Sequence, residues 1–256
     1  MSRITTLAEL VSARASLPEP VGFIPTMGAL HAGHLALFER ARSECRSVVG
    51  SIFVNPTQFN DPRDLETYPR DLDADLAAME GAGADLIFTP TQEAIYPHDY
   101  RYRVIETEIT TVLCGAGRPG HFDGVMSVVL RLFNLVRPDR AFFGEKDWQQ
   151  LTLVREMAEA FFLPVEVVGV PVVRDEHGVA LSSRNRNLDE VAYARAAMFA
   201  RILREGRGVD AVRTALESEG IEVEYVEERW GRRLAAVHIG GVRLIDNVPA
   251  SGTTGG

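Results

Sequence analysis

Two histidines stand three residues apart in the run PTMGALHAGH at 25–34. Residues three apart on a helix share a face, so His31 and His34 there would point at one ligand. A helix start carries unpaired amides and the positive end of the helix dipole, which favour an anion, typically phosphate. Gly28 and Gly33 let the backbone approach that anion without a Cβ in the way. The alternative reading of the pair is a helix cap with two solvated imidazoles. Asn55-Pro-Thr-Gln-Phe59 offers two carboxamides for a carboxylate, hydroxyl or amine without added charge; alone it also reads as a polar loop. Gly144-Glu-Lys-Asp147 sets a lysine beside a glycine, suited to phosphate. Glu145 and Asp147 would orient that lysine or help hold a metal, unless the segment is only a charged turn. Gln150 follows at a helix start, within reach of the same cleft. Leu181-Ser-Ser-Arg184 brings two hydroxyls and a guanidinium suited to a phosphate chain; a helix cap before Leu188 is the bland alternative.

The elements that must position these residues follow from the apolar pattern. Val21–Ile24 reads as a buried strand, followed from about Gly33 by a helix with Leu35, Phe38 and Cys45 on its inner side. Further strands are expected at 48–54, 85–89, 141–143 and 165–170. Helices are expected at 6–15, 72–79, 125–136 and 148–162. Strands alternating with helices define an α/β, Rossmann-like open parallel sheet with helices on both faces, whose ligands bind beyond the carboxyl ends of the strands. The polar motifs fall there, after Ile24, Val54, Phe143 and Val173. From about residue 174 the pattern changes to helices at 188–205 and 209–219. Three strands follow at 221–228, 234–239 and 242–248, with short turns that predict an antiparallel meander. The expected organisation is a main domain over 1–173, a small α+β lid over 174–250, and a loose tail over 251–256.

Composition narrows the function. A chain of 256 residues with 46% hydrophobic and 25% charged residues buries a substantial core. A net charge of −9 disfavours nucleic acid, whose phosphates reward a basic surface. It leaves room for a local basic cluster around a small anion. Cys45 and Cys114 belong to no metal-ligand spacing, so neither a disulfide framework nor a structural zinc site is expected. Residues 1–20 lack the apolar stretch of a signal peptide and no window is suited to a membrane span. The expected compartment is the cytoplasm.

Taken together and in this order, the motifs resemble one family. They are PTMGALHAGH at 25–34, SIFVNPTQF at 51–59, YPR at 68–70, PGHFDGV at 119–125, FNLVRPDRAFFGEKDWQQL at 133–151, VGVPVVR at 168–174 and LSSRN at 181–185. The chain is similar through nearly all of residues 20–190 to the pantoate–β-alanine ligases (pantothenate synthetases). These belong to the larger nucleotidyl-transferring superfamily with a class I synthetase-like fold. The resemblance implies ATP-dependent condensation of (R)-pantoate with β-alanine through a pantoyl adenylate, giving pantothenate, AMP and pyrophosphate. It implies that Met27, Gly28, Ala29, Leu30, His31, Ala32, Gly33 and His34 bind ATP, together with Gly144, Glu145, Lys146, Asp147, Val173, Leu181, Ser182, Ser183 and Arg184. His34, His31, Lys146, Ser182 and Arg184 would serve the chemistry. Gln58 and Gln150 would bind pantoate, and Gln58 would also face β-alanine. Mg2+ would arrive on the ATP phosphates, with no dedicated protein metal site, and a homodimer is implied. Thr57 departs from the family pattern, standing where many members carry an apolar residue. The C-terminal appendage also reads as shorter than the family leads one to expect. A nucleotidyltransferase making a nucleotide-linked product, or a non-catalytic nucleotide-binding relative, are the competing readings. Paired glutamines suit a short hydroxy acid better than the first, and the intact histidines, Lys146 and Arg184 argue against the second.

Overall fold

The computed structural model describes residues 2–250; the tail expected at 251–256 lies outside the described residues. These residues fall into two compact units. One runs to Glu145 and resumes over Gln149–Val170; the other takes Lys146–Trp148 together with the chain from Pro171 onward.

The first unit holds β1 (Ser2–Ile4), α1 (Leu7–Ala15), β2 (Val21–Thr26), α2 (Ala32–Glu44), β3 (Ser47–Ile52), α3 (Pro62–Glu66), α4 (Leu72–Gly81) and β4 (Leu86–Phe88). They are followed by α5 (Gln92–Ile95), β5 (Pro97–Tyr100), α6 (Cys114–Gly117), α7 (His121–Val136), β6 (Arg140–Gly144), α8 (Trp148–Ala160) and β7 (Glu166–Val170). Six strands form one sheet in the order β1-β4-β3-β2-β6-β7. Every pairing in it is parallel. β2 and β3 are apolar runs buried along almost their whole length, as strands covered on both faces must be. From β2 the chain winds outward through β3 and β4, then returns to β6 on the other side of β2. The reversal between β2 and β6 is where such a sheet opens a crevice for a ligand. The carboxyl ends of those two strands release the histidine turn and the Gly144 segment.

The parallel α/β sheet with a small C-terminal antiparallel sheet is the expected class, with local corrections. β1 was not expected: three residues before the Thr6 helix cap are too few to show alternation, yet they pair with β4 at the sheet edge. The buried stripe of α2 is Leu37, Phe38 and Ala41, with Leu35 only half-buried and Cys45 buried as the C-cap. A Cβ on Gly22 of β2 would sit 3.0 Å from the Cys45 sulfur and 3.3 Å from Ala41, so the helix packs there against bare backbone. α7 starts at His121, not Val125, because Gly120 at φ 79° breaks the chain direction and Gly124 lies inside the helix.

The second unit holds α9 (Glu190–Glu205), α10 (Val209–Ser218) and the meander β8 (Glu222–Arg229), β9 (Arg232–Ile239) and β10 (Val242–Pro249). Its two hairpins turn on Trp230-Gly231 and Gly240-Gly241, all four at positive φ, the conformation a two-residue hairpin needs to match strand twist. The first turn is therefore tighter than the four residues expected, and Arg232 and Arg233 belong to β9. Ala196, Phe199 and Leu203 of α9 and Val212 and Leu216 of α10 pack on Val226, Ala235 and Val237 of the sheet.

Candidate active site

The histidine turn is built from the end of β2. Thr26 donates its hydroxyl to the Ser51 carbonyl (2.8 Å) and accepts from the Gly28 amide (3.2 Å). Gly28 and Ala29 then take left-handed backbone, at φ 80° and 53°. A buried carboxylate holds that shape: Asp75 of α4 accepts from the amides of Ala29 and Leu30, each at 2.8 Å. A Cβ on Gly28 would stand 2.5 Å from the same carboxylate, so only glycine fits. The amides of Ala29 and Leu30 are thus directed to Asp75. Sequence reasoning missed Asp75, although an acid on the same stripe as Leu72 and Met79 was the signal.

His31 is the N-cap of α2 and His34 its third residue, while Ala32 and Gly33 form the first turn between them. The Nδ1 atom of His31 accepts from the Gly33 amide (3.1 Å), and the Nδ1 atom of His34 accepts from the His31 amide (3.3 Å). The rings lie 4.1 Å apart. The cap reading of the pair is therefore present, and it uses Nδ1 and sets the proton on the other nitrogen. A nitrogen that accepts an N–H carries no proton, so the neutral ring keeps its proton on Nε2. Each histidine is then an Nε2–H donor while uncharged.

Gln58 is held from three sides. Asn55, 1% exposed, donates to the Gly124 carbonyl (3.1 Å) and to Gln58 Oε1 (3.0 Å). Gln58 Nε2 rests on the Met27 sulfur (3.0 Å), which ties the carboxamide to the histidine turn. His121 Nδ1 lies 2.7 Å from the Gln58 carbonyl and its Nε2 lies 3.1 Å from the Arg118 guanidinium. A guanidinium only donates, so Nε2 accepts and Nδ1 donates; His121 is a neutral hook on the Gln58 main chain. Gly124 is required by close approach: a Cβ there would fall 2.4 Å from the Thr57 carbonyl oxygen. The segment 119–125 therefore clamps the Gln58 turn. Of the two adjacent glutamines on α8, Gln149 is buried and committed, accepting from the Cys114 amide and donating to the carbonyls of Ile109 and Val112. Gln150 is half-buried and its carboxamide makes no hydrogen bond among the described residues. Gly144 ends β6 and Glu145 opens a short 3-10 turn after it.

In the second unit a pocket is lined by Lys146, Ser182, Arg184 and Asn185 together with Phe199, Arg243 and Asp246. Lys146 sits on the same 3-10 turn as Asp147, whose carboxylate lies 3.8 Å from its ammonium. Its carbonyl accepts from the Asn247 side chain (3.0 Å), and Arg174 grips the buried Asp246 with two bonds of 2.6 and 2.9 Å. Val173 accepts from the Leu181 amide (3.0 Å), and the Ser182 hydroxyl caps the next turn through the Arg184 amide (3.3 Å), beside Ser183. The cap expected as the bland alternative is therefore present. The exposed Arg184 guanidinium has no hydrogen-bond or ion-pair partner among the described residues, so it remains available to an anion.

A parallel α/β sheet whose strand order reverses between β2 and β6 defines the doubly wound class, which binds nucleotides and related ligands beyond the carboxyl ends of its strands. The comparisons sharpen that class. The family model for pantoate-beta-alanine ligase matches residues 1–249. The pantothenate synthetase of Coxiella burnetii is 49% identical over 247 residues, covering 96% of each chain. That of Bdellovibrio bacteriovorus is 52% identical over 228 residues, covering 89% of this chain and 91% of the relative. Among solved structures, the pantothenate synthetase of Thermus thermophilus superposes with a TM-score of 0.88 at 45% identity, over 97% of this chain and 99% of that one. A Francisella tularensis pantoate-beta-alanine ligase, complexed with beta-gamma ATP and beta-alanine, gives 0.90 at 38% identity over 97% of each chain. The chain belongs to the pantoate–β-alanine ligase family, and its reaction is the ATP-dependent condensation of pantoate with β-alanine. Near end-to-end matches also show that these relatives share the compact C-terminal appendage.

Proposed function

We propose that catalysis rests on holding three substrates in line and on neutralising phosphate charge, with no protein nucleophile. The pantoate carboxylate attacks the α-phosphorus of ATP and pyrophosphate leaves. The β-alanine amine then attacks the acyl carbon of pantoyl adenylate and AMP leaves. His31 and His34 donate Nε2–H to phosphate oxygens as charge develops, which supplies electrostatic stabilisation without a proton transfer. Met27, Gly28 and Gly33 line the ATP turn with them, and Ala29, Leu30 and Ala32 shape it. Gly144, Glu145 and Asp147 flank Lys146, whose ammonium opposes phosphate charge. Val173, Leu181, Ser182, Ser183 and Arg184 hold the adenosine and the phosphate chain. Gln58 and Gln150 orient pantoate, and Gln58 also serves β-alanine.

The observation that carries this reading is the pair of Nδ1 acceptor bonds, which sets both ring protons on Nε2. Mg2+ enters on ATP, since hard phosphate oxygens hold it. No group of three or more His, Cys, Asp or Glu among the described residues is arranged to hold a metal ion. Glu145 and Asp147 would offer that ion carboxylate oxygens, and the ion would supply charge neutralisation at the phosphates. We also assign the protein to the cytoplasm and to a homodimer. Among the described residues no helix is long and apolar enough to cross a membrane, which is compatible with the first.

Lys146→Ala tests the reading. Removing one charge-stabilising donor lowers adenylate formation by about 10²–10³-fold, measured as pantoate-dependent pyrophosphate release. Turnover close to that of the unmodified protein would remove Lys146 from the mechanism.

A further inference from the structure

A carboxamide presents nearly the same shape either way round, but one end accepts and the other donates. Which end of Gln58 meets the substrate is therefore decided by whatever orients it. The carbonyl of Gly124 can only accept, so the side of Asn55 that faces it is the Nδ2 side. The opposite side, Oδ1, meets two hydroxyls: Tyr96 at 2.8 Å and Thr57 at 2.9 Å, themselves 3.2 Å apart. Tyr96 is buried, and burial pushes its phenol up to about 12, so the hydroxyl keeps its proton and donates. Reversing Asn55 would set its carbonyl against both the Gly124 carbonyl and Gln58 Oε1. With Asn55 fixed, its second amide proton occupies Gln58 Oε1 and turns Gln58 Nε2 outward to the Met27 sulfur. A thioether is a weak acceptor, a partner a better one displaces.

We propose that Tyr96 and Thr57 are positioning residues that act through Asn55 to hold Gln58 as a hydrogen-bond donor, so that Gln58 reads a carboxylate or hydroxyl oxygen of pantoate and not an ammonium group. This rests on the binding of pantoate by Gln58 proposed above.

The test combines Tyr96→Phe, Thr57→Val and the double variant with Gln58→Ala in a double-mutant cycle. KM for pantoate, ATP and β-alanine is measured for each protein, together with its melting temperature. Loss of one well-placed hydrogen bond corresponds to roughly a tenfold change. The Tyr96→Phe/Thr57→Val protein is therefore expected to raise the pantoate KM by about that factor, with the ATP KM within about twofold. In the Gln58→Ala background the same pair is expected to change nothing further, because coupled residues are not additive. An unchanged pantoate KM in the double variant overturns the proposal, as does a full additional rise in the Gln58→Ala background. A general loss of fold would lower the melting temperature without selecting pantoate over ATP, and also counts against it. If Gln58→Ala alone leaves the pantoate KM untouched, Gln58 does not bind pantoate and both statements fall; that single arm separates the two failures.

Discussion

In the proposed mechanism His31 divides its two nitrogens between structure and chemistry, and the division can be separated by mutation. Its Nδ1 caps α2 through the Gly33 amide. Asparagine keeps a capping oxygen there but has no donor where Nε2–H lies; alanine keeps neither. Loss of an N-cap costs about 0.5–2 kcal/mol, so His31→Ala is expected to melt earlier than His31→Asn in a thermal scan. Both should lose adenylation by about 10²-fold, and an active His31→Asn protein would show that Nε2 is dispensable. Because the donors work in the neutral ring, adenylation should stay level on the alkaline side of neutrality; a decline there following one deprotonation would instead assign a general acid. At this scale the sequence exposed the residues proposed to touch ligand and concealed those that hold them. His31, His34, Gln58 and Arg184 stand in compact motifs, whereas Asp75 reaches the histidine turn from 46 positions beyond Ala29. A bond of that span leaves no local pattern.

The elements matter through what they bring close. α7 supplies the Gly124 carbonyl to Asn55 and the His121 hook to Gln58, and its glycine admits the Thr57 backbone. Gly124→Ala inserts a methyl where there is no room, and such overpacking typically costs about 1–3 kcal/mol. The variant should melt earlier and show a raised pantoate KM; normal values of both would remove α7 from the support of Gln58. In the meander, Glu224 of β8 accepts two bonds from Arg243 of β10 (2.6 and 3.0 Å) and faces His238 of β9 at 3.3 Å. The Arg243 bonds hold its carboxyl below the usual value. A folded pKa lowered in this way gives stability that is present above the unfolded value and lost as pH falls through the folded one. The stability gap between this protein and its Glu224→Gln variant should therefore be widest at neutral pH and close on the acid side of about 4.3; a gap that stays constant with pH would contradict it. Long strands and helices were legible because burial on both faces writes continuous apolar runs. The early start of α7 was not, because Gly124 reads as a breaker while it serves as a point of close approach.

The whole molecule carries a net charge of −9 and yet handles ATP, which works because charge is local. Lys146, Arg184 and Arg243 line one pocket of the second unit, and the histidine turn gathers neutral donors in the first. Alternation of strands and helices announced the parallel sheet, and the switch from helices to closely spaced strands announced the meander. The placement of Lys146–Trp148 with the second unit was hidden, because a three-residue segment between β6 and the body of α8 has no periodicity of its own. The central claim is that substrate carboxylate is activated as an adenylate before any amine enters. ATP–pyrophosphate exchange, measured with labelled pyrophosphate, tests it directly. Exchange should require pantoate and proceed without β-alanine, and adding β-alanine should then release AMP and pantothenate in equal amounts. Exchange that is absent with pantoate, or that appears only once β-alanine is present, would contradict the account.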